Sequence, residues 1–490
     1  MRRTLAAAVA LAVASSADAA TIDARLVERA KRTGPVRALI VPALRPTLDP
    51  NSLPSGRDAR LAAAHAKLEA DAAASQGALR AWLRVRKLEH RSYPIANTIV
   101  ATLDAGTLEA LALRGDVAAI VDDVAIRLRR PHASGPATKT PSANIAAVGA
   151  PTLWAQGITG QGIVVGGQDT GYQWTHPALI ASYRGSSVAH AYHWHDAIHG
   201  RVNPFDATNR CGYDSPEPCD DDDVGSGGHG THTMGTVVGS DGGANEIGMA
   251  PGARWIGCRN MDQGWGSPST YIECLQWFLA PTDAAGENPN PAMAPHVINN
   301  SWACIPAEGC DAAQTAMLEQ AVVNLRNAGI LFVAAAGNDG PGCSSVVDPP
   351  AIFAASLAVG AAENNGVIAD FSSRGPSPSG RLVPALTAPG VSIRSAIPNS
   401  AYGFKSGTSM AAPHVAGAAA LVMAAVPATI GQPARLELAL MRGASARLEP
   451  GADCGGFPGD AVPNAVHGYG FLDVPAAVDA AGIQFADGFE

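Results

Sequence analysis

The chain has 490 residues, 47% of them hydrophobic and 16% charged, with a formal net charge of −9. That balance excludes a disordered chain and weighs against a nucleic-acid partner, and the length allows one large domain plus a smaller one. The charge is unevenly placed: residues 20–133 carry 18 basic and 12 acidic side chains, whereas residues 134–490 carry 14 and 30. Segments of opposite sign favour docking on each other.

In chain order, residues 1–19 read as a secretory signal peptide. Arg2 and Arg3 give a basic start, Leu5–Ala14 an apolar core, and Ala17-Asp18-Ala19 a small-x-small cleavage site. No later apolar run reaches about 18 uninterrupted residues, so no membrane span is expected. Residues 20–133 follow as a small α+β unit. Its expected elements are strand Val36–Val41, helix Leu61–Val85, strand Ile95–Leu103, helix Ala105–Arg114, and closing strands Val117–Asp122 and Val124–Arg127. Pro131–Asn144 is polar and holds Pro131, Pro136 and Pro141, which suits a linker open to cleavage at a bond the sequence does not identify.

Residues 134–490 make the large domain. Gly157, Gly160 and Gly162 precede the strand Ile163–Gln168. A dinucleotide-binding turn needs its glycines after a strand, so that reading is excluded. Asp169-Thr170-Gly171 stands at the strand's C-terminal end, where chemistry collects in open parallel sheets. The triplet also suggests an aspartic peptidase, but that mechanism needs two carboxylates sharing a proton, and no second triplet exists. Residues 180–226 resemble a long insertion. They hold His190, His193, His195, His199, Cys211, Cys219 and the run Asp220–Asp223. Such a set invites a metal hypothesis, with calcium the hard cation that carboxylates suit, yet four adjacent Asp read first as a solvated acidic loop. In Gly227-Gly228-His229-Gly230-Thr231-His232, glycines flank His229 and permit close backbone approach where a helix begins. His232 lacks a nearby third ligand for a metal and reads as a core residue.

Three further strands end in polar strings. Gly264-Trp265-Gly266-Ser267 follows one of them, Pro295–Ser301 leads into Trp302-Ala303, and Gly329–Ala336 leads into Gly337-Asn338-Asp339-Gly340. Ser356–Ala361 is a further strand. Gly407-Thr408-Ser409-Met410-Ala411-Ala412-Pro413-His414-Val415-Ala416-Gly417 then opens an apolar run through Met423, read as a buried helix. Ser409 sits at its start, where unsatisfied N–H groups can receive an oxyanion. Gly407 gives the turn freedom before it, and Pro413 is expected near the first turn. A lone Gly-x-Ser is more often a helix cap than a nucleophile. All eight cysteines follow residue 210, an even count that fits disulfides in an exported protein. Nearest neighbours would pair Cys211–Cys219, Cys258–Cys274 and Cys304–Cys310, leaving Cys343 with Cys454, although other connectivities stay open.

The eleven-residue string around Ser409, with the strings around Asp169, His229 and Asn338 in that order, resembles the subtilisin-like serine peptidases, or subtilases. The long first insertion and Asn299-Asn300-Ser301-Trp302 are most similar to the bacillopeptidase F-type subgroup. The resemblance implies a doubly wound, mainly parallel α/β sheet with helices on both faces, preceded by an α+β prodomain. It implies Asp169, His229 and Ser409 as the triad and Asn338 as the oxyanion-hole amide. It also implies a substrate edge at Gly264, Trp265 and Gly266, and a specificity pocket at Ser301, Trp302, Ala303 and Gly337. Ala303 stands where relatives usually carry Gly, which bears on pocket depth. Residues 20–133 would then be a propeptide, ending in the propeptide-like Asp116–Asp123, that inhibits the enzyme until the enzyme itself cuts it off. The expected partners are protein or peptide substrates and the chain's own propeptide, with no nucleic acid and no membrane. A monomeric, secreted enzyme is expected, needing no cofactor for chemistry, with a structural calcium open and metal ligands unassigned. The rival is a secreted, inactive relative that only binds peptides.

Overall fold

The computed structural model describes residues 20–129, 132–133, 143–185, 189–221 and 227–486. The expected signal peptide, most of the expected linker and Asp222–Asp223 lie outside them. Two sheets dominate.

The N-terminal unit contains β1 (Thr21–Ile22), α1 (Ala24–Thr33), β2 (Val36–Pro42), α2 (Arg57–Val85), β3 (His90–Tyr93), β4 (Thr98–Leu103), α3 (Ala105–Ala112) and β5 (Val117–Asp122). Asp23 caps α1 by accepting from the Arg25 N–H, and Gly34, at φ 89°, ends it in a conformation that favours glycine. The strands lie in the order β1-β5-β2-β4-β3, with β1 parallel to β5 and the other pairs antiparallel. Sequence patterning missed β1, α1 and β3. β1 is only two residues long, β3 is short and polar, and α1 carries a charged outer face around only three buried residues, Leu26, Val27 and Ala30.

Two short strands continue the chain: β6 (Ile126–Arg127) and β7 (His132–Ala133). The large domain follows, with α4 (Ala143–Ala147), α5 (Ala150–Trp154), β8 (Val164–Asp169), β9 (Trp194–Asp196), α6 (His229–Val238) and β10 (Arg254–Arg259). Next come β11 (Met261–Asp262), β12 (Trp265–Gly266), α7 (Pro268–Leu279), β13 (Val297–Asn300), α8 (Ala312–Asn327), β14 (Leu331–Ala335) and β15 (Leu357–Ala362). The chain ends with β16 (Leu386–Pro389), β17 (Ile393–Ile397), β18 (Ala401–Ser406), α9 (Thr408–Ala425), α10 (Pro433–Gly443) and α11 (Val474–Ala486).

Seven strands form one all-parallel sheet in the order β16-β15-β14-β13-β8-β10-β9. Side chains alternate between its faces. Val297, Leu331 and Val333 enter one core with α9, α10 and α11, while Ile298, Phe332 and Ala334 enter the other with α7 and α8. Burial on both faces explains why the strands read as continuous apolar runs. The edge strand β9 lies inside the stretch expected to be an insertion loop. Its Trp194-His195-Asp196 alternation is too short to stand out in sequence. α9 is long and apolar enough to cross a membrane, but it is the central helix of this core, buried from Thr408 through Met423.

Four disulfides join Cys211–Cys219, Cys258–Cys274, Cys304–Cys310 and Cys343–Cys454, the nearest-neighbour pairing. The N-terminal unit shares a core with the outer face of α7 and α8: Leu39, Leu61, Tyr93 and Ile95 pack with Tyr271, Trp277, Met317 and Leu325. Hydrogen bonds fix the docking. Asn324 donates to the Ile95 carbonyl at 2.7 Å, Gln276 accepts from the Ile95 N–H at 2.7 Å, and Arg60 donates to the Asn327 carbonyl at 2.7 Å.

Candidate active site

The interior strand β8 has β10 on one side and β13 on the other: the chain runs from β8 to β9 and β10 on one side, then crosses back past β8 to β13. A crevice opens at such a switch point beyond the carboxyl ends of the strands. Asp169 is the last residue of β8, and it is buried.

His229 opens α6, and its Nδ1 meets Asp169 Oδ1 at 2.7 Å and Oδ2 at 2.9 Å. A carboxylate only accepts, so Nδ1 carries the hydrogen and Nε2 is the basic nitrogen. Asp169 also accepts from the Thr170 N–H at 2.8 Å. The glycines beside His229 are required by close approach. A Cβ on Gly230 would stand 2.1 Å from the Gly171 carbonyl oxygen, and Gly228 lies at φ 69° against Pro398. Asp220 braces this corner. It accepts from Thr170 Oγ1 at 3.0 Å and from the Thr231 N–H at 3.1 Å, while Thr170 Oγ1 accepts from the Gly230 N–H. Asp221 is buried too and meets Arg259 at 3.1 Å. The described half of the acidic run is therefore interior, which corrects the reading of a solvated loop. Asp220 is held by hydroxyls and Asp221 Oδ2 by Arg259, so both act as structural groups, although Asp221 Oδ1 is left without a hydrogen-bond partner among the described residues and burial pushes the Asp221 carboxyl well up.

His232 is buried in α6, and its Nε2 donates to the Ile393 carbonyl at 3.0 Å. Burial first, then the neighbouring Lys405 charge, push its pKa well below the usual histidine value, so it stays a neutral core residue.

Ser409 is the second residue of α9, which packs directly on α6. Its Oγ donates to the Ser301 carbonyl at 3.3 Å, and Ser301 Oγ donates to the Ser409 carbonyl at 3.0 Å. Pro413 lies inside the helix rather than in its first turn. A proline has no N–H for the carbonyl four residues earlier, and that carbonyl belongs to Ser409. Ser301 supplies the missing donor. Gly407 also departs from expectation: at φ 165° and ψ 163° its backbone is extended, so it needs no glycine freedom. A Cβ there would lie 3.6 Å from Asn338 Nδ2.

Asn338 is oriented by Thr408, a residue that sequence reasoning passed over although it adjoins Ser409. Asn338 Oδ1 accepts from the Thr408 N–H at 2.9 Å and from Thr408 Oγ1 at 3.0 Å. A backbone N–H can only donate, so the carboxamide oxygen is fixed there and the NH₂ group points elsewhere. Thr408 Oγ1 also accepts from the Gly337 N–H at 3.2 Å.

The remaining expected residues divide. Gly264, Trp265 and Gly266 form an edge that pairs antiparallel with β6: Trp265 opposite Arg127 and Gly266 opposite Ile126, with the Leu128 N–H donating to the Gly264 carbonyl at 2.7 Å. Ser301 touches Ser409, and Ala303 is half-buried. Trp302 turns into the core, its ring stacked on Tyr271 with centroids 4.1 Å apart. Three residues before Ser409, β7 pairs with the end of β18, Ser406 opposite His132.

Of the cysteines and histidines first grouped as metal ligands, Cys211 and Cys219 are bonded to each other. His195 and His199 converge instead on Glu273 of α7, at 2.9 Å and 2.6 Å from its Oε1. The donor set would suit a metal ion, but the same oxygen is met by Arg91 at 3.1 Å and the other by Tyr93. A guanidinium against that oxygen opposes a second cation, so with the N-terminal unit docked the cluster fits an ion-paired hydrogen-bond network.

The sequence profile of the subtilase family matches residues 160–470. Bacillopeptidase F of Bacillus subtilis is 40% identical over 291 residues, 57% of this chain but 18% of the relative's own length. Subtilisin E of Bacillus subtilis is 30% identical over 339 residues, 69% of this chain and 73% of its own. Subtilisin Savinase of Lederbergia lenta is 34% identical over 279 residues, 57% of this chain and 82% of its own.

Proposed function

The chain belongs to the subtilase family, and on that premise we propose that it is a secreted serine endopeptidase made as a self-processed precursor. The observation that carries the reading is the buried Asp169–His229 pair, at the strand-end crevice, with His229 on a helix packed against the one that carries Ser409 in its first turn. Ser409 Oγ attacks the peptide carbonyl, His229 Nε2 takes its proton, and Asp169 stabilises the resulting imidazolium. The Asn338 NH₂ and the Ser409 N–H receive the oxyanion. His229 then protonates the leaving amine, and water hydrolyses the acyl-enzyme by the same relay in reverse.

Residues 20–133 act as the propeptide. The pairing of Ile126–Leu128 with Gly264–Gly266 supports this, because an extended substrate binds a peptidase by strand addition at such an edge. Secretion is supported by the leader-like start and by four disulfides, which persist in oxidising compartments.

The test is covalent. A fluorophosphonate is expected to modify the mature wild-type protein once, at Ser409, and to abolish casein hydrolysis in step. An unlabelled protein, or one that stays active after labelling, would remove the serine mechanism.

A further inference from the structure

Building on the peptidase reading, we propose that the enzyme selects arginine or lysine immediately before the scissile bond, through a pocket made by Asp348 and Asp339, and that it matures by cutting Arg129–Arg130.

The register of the propeptide tail leads to the pocket. Ile126 and Arg127 pair with Gly266 and Trp265, Leu128 binds Gly264, and Glu308 accepts from the Arg127 N–H at 2.7 Å. The next residue is Arg129. Its guanidinium is ion-paired with Asp339, the residue after Asn338, and stands 3.6 Å from Asp348. Four positions after Leu128, His132 already pairs beside Ser406, three residues before Ser409. The described residues on either side of this interval thus pair with the Gly264–Gly266 edge and with the strand that leads to Ser409, and among the described residues between them Arg129 is the one whose side chain reaches the oxyanion-hole loop.

Asp348 is built to meet a cation. Its side chain is 6% exposed, and the cation facing it is Arg129. Burial raises its pKa to about 6, with Arg129 pulling down and Asp339 and Glu308 pushing up. Three carboxylates near one buried position repel each other until a positive group enters. The walls are rigid. The Cys304 N–H donates to the Pro349 carbonyl at 2.8 Å, joining the Asp348 loop to the segment after Ala303. The Cys304–Cys310 and Cys343–Cys454 disulfides tie down both loops. An aliphatic or aromatic side chain would leave the buried Asp348 without its cation, which a site built for a polar group penalises strongly.

Chemistry separates the two neighbouring arginines. Arg130 precedes Pro131, so the bond after it is a tertiary amide, whereas the bond after Arg129 is an ordinary secondary amide. In the maturation step Ser409 Oγ bonds to the Arg129 carbonyl carbon, the carbon–nitrogen bond to Arg130 breaks, and the departing amine gains the proton held by His229. Water then releases Arg129 as a free carboxylate.

Two measurements decide the matter. Peptide anilides differing only in the residue before the anilide are expected to show kcat/KM for Arg and Lys about 100-fold above Phe and Leu. In Asp348→Asn the Arg-to-Phe ratio is expected to fall at least about 10-fold. Mass spectrometry of the mature protein is expected to give an N-terminus at Arg130. An active, fluorophosphonate-reactive enzyme that prefers Phe or Leu overturns the pocket assignment and leaves the peptidase reading intact. An enzyme that neither cleaves nor labels overturns both. Should Asp348→Asn fail to fold, wild type alone suffices: benzamidine, a guanidinium-like cation, must inhibit it competitively, and lack of inhibition contradicts the proposal.

Discussion

At Ser409 the backbone carbonyl matters as much as the hydroxyl. Pro413 releases that carbonyl from the helix ladder, and Ser301 answers with its own hydroxyl, so the strand end and the Ser409 turn are held together. The sequence displayed Pro413 openly, but its place within the helix depended on where α9 begins, and helix starts are read from sequence only to within a turn. Thr408 shows a similar hidden role. Its two hydrogen bonds turn the Asn338 carboxamide, so Thr408→Val, which keeps the shape and the backbone N–H but loses the hydroxyl, should loosen the oxyanion donor. We expect kcat on a peptide anilide to drop by about 10-fold with KM little changed, because the donor acts mainly in the transition state. A rise in KM at constant kcat would place Thr408 in ground-state binding instead.

Among the elements, α7 and α8 carry the N-terminal unit, and Glu273 of α7 is their most heavily used side chain. Burial works to raise its pKa, yet hydrogen bonds from His195 and His199 override this and hold it well below its ordinary 4.5. His199 is opposed by burial and favoured by Glu273, and ends above its ordinary 6.5. The signs are opposite. Glu273 contributes stability above about 4.5 that is lost as pH falls through its depressed value. His199 contributes stability below about 6.5 that is lost as pH rises through its raised value. Since Arg91 and Tyr93 bind the same carboxylate, the Tm of the Ser409→Ala precursor should be highest between these limits and decline on both sides. Glu273→Gln should lower that maximum and flatten the profile, as thermal scans across pH would show; an unchanged profile would remove Glu273 as the anchor. Of this network only His195 and His199 stood out in the sequence, as candidate metal ligands; their partner Glu273 did not. Glu273 sits in a helix 74 residues beyond His199 and belongs to no motif. The elements with long apolar patterns, such as β14 and α9, were legible for the opposite reason: burial on every side leaves few polar residues to obscure them.

For the whole molecule, the strings that could be read were those in which backbone must approach backbone. Gly228 and Gly230 around His229 are dictated locally, and local constraints leave a local trace. Asp339 and Asp348 share the one connection between β14 and β15 and form no motif, so the purpose of the acidic pocket emerges only from Arg129, 210 residues before Asp339, lying between them. The positive excess of residues 20–133 and the negative excess of the rest suit their docking, while the shared apolar core of Leu39, Ile95, Trp277 and Leu325 gives that docking its area. The N-terminal unit, the Gly264–Gly266 edge and the Ser409 helix thus form one continuous arrangement, and the proposal stands on Ser409 as the group that severs it. The direct measurement is the intact mass, over time, of purified wild-type and Ser409→Ala precursors incubated separately. Wild type should resolve into a propeptide and a mature chain, while Ser409→Ala keeps its full mass. Cleavage of the isolated Ser409→Ala protein at the wild-type rate would contradict the account.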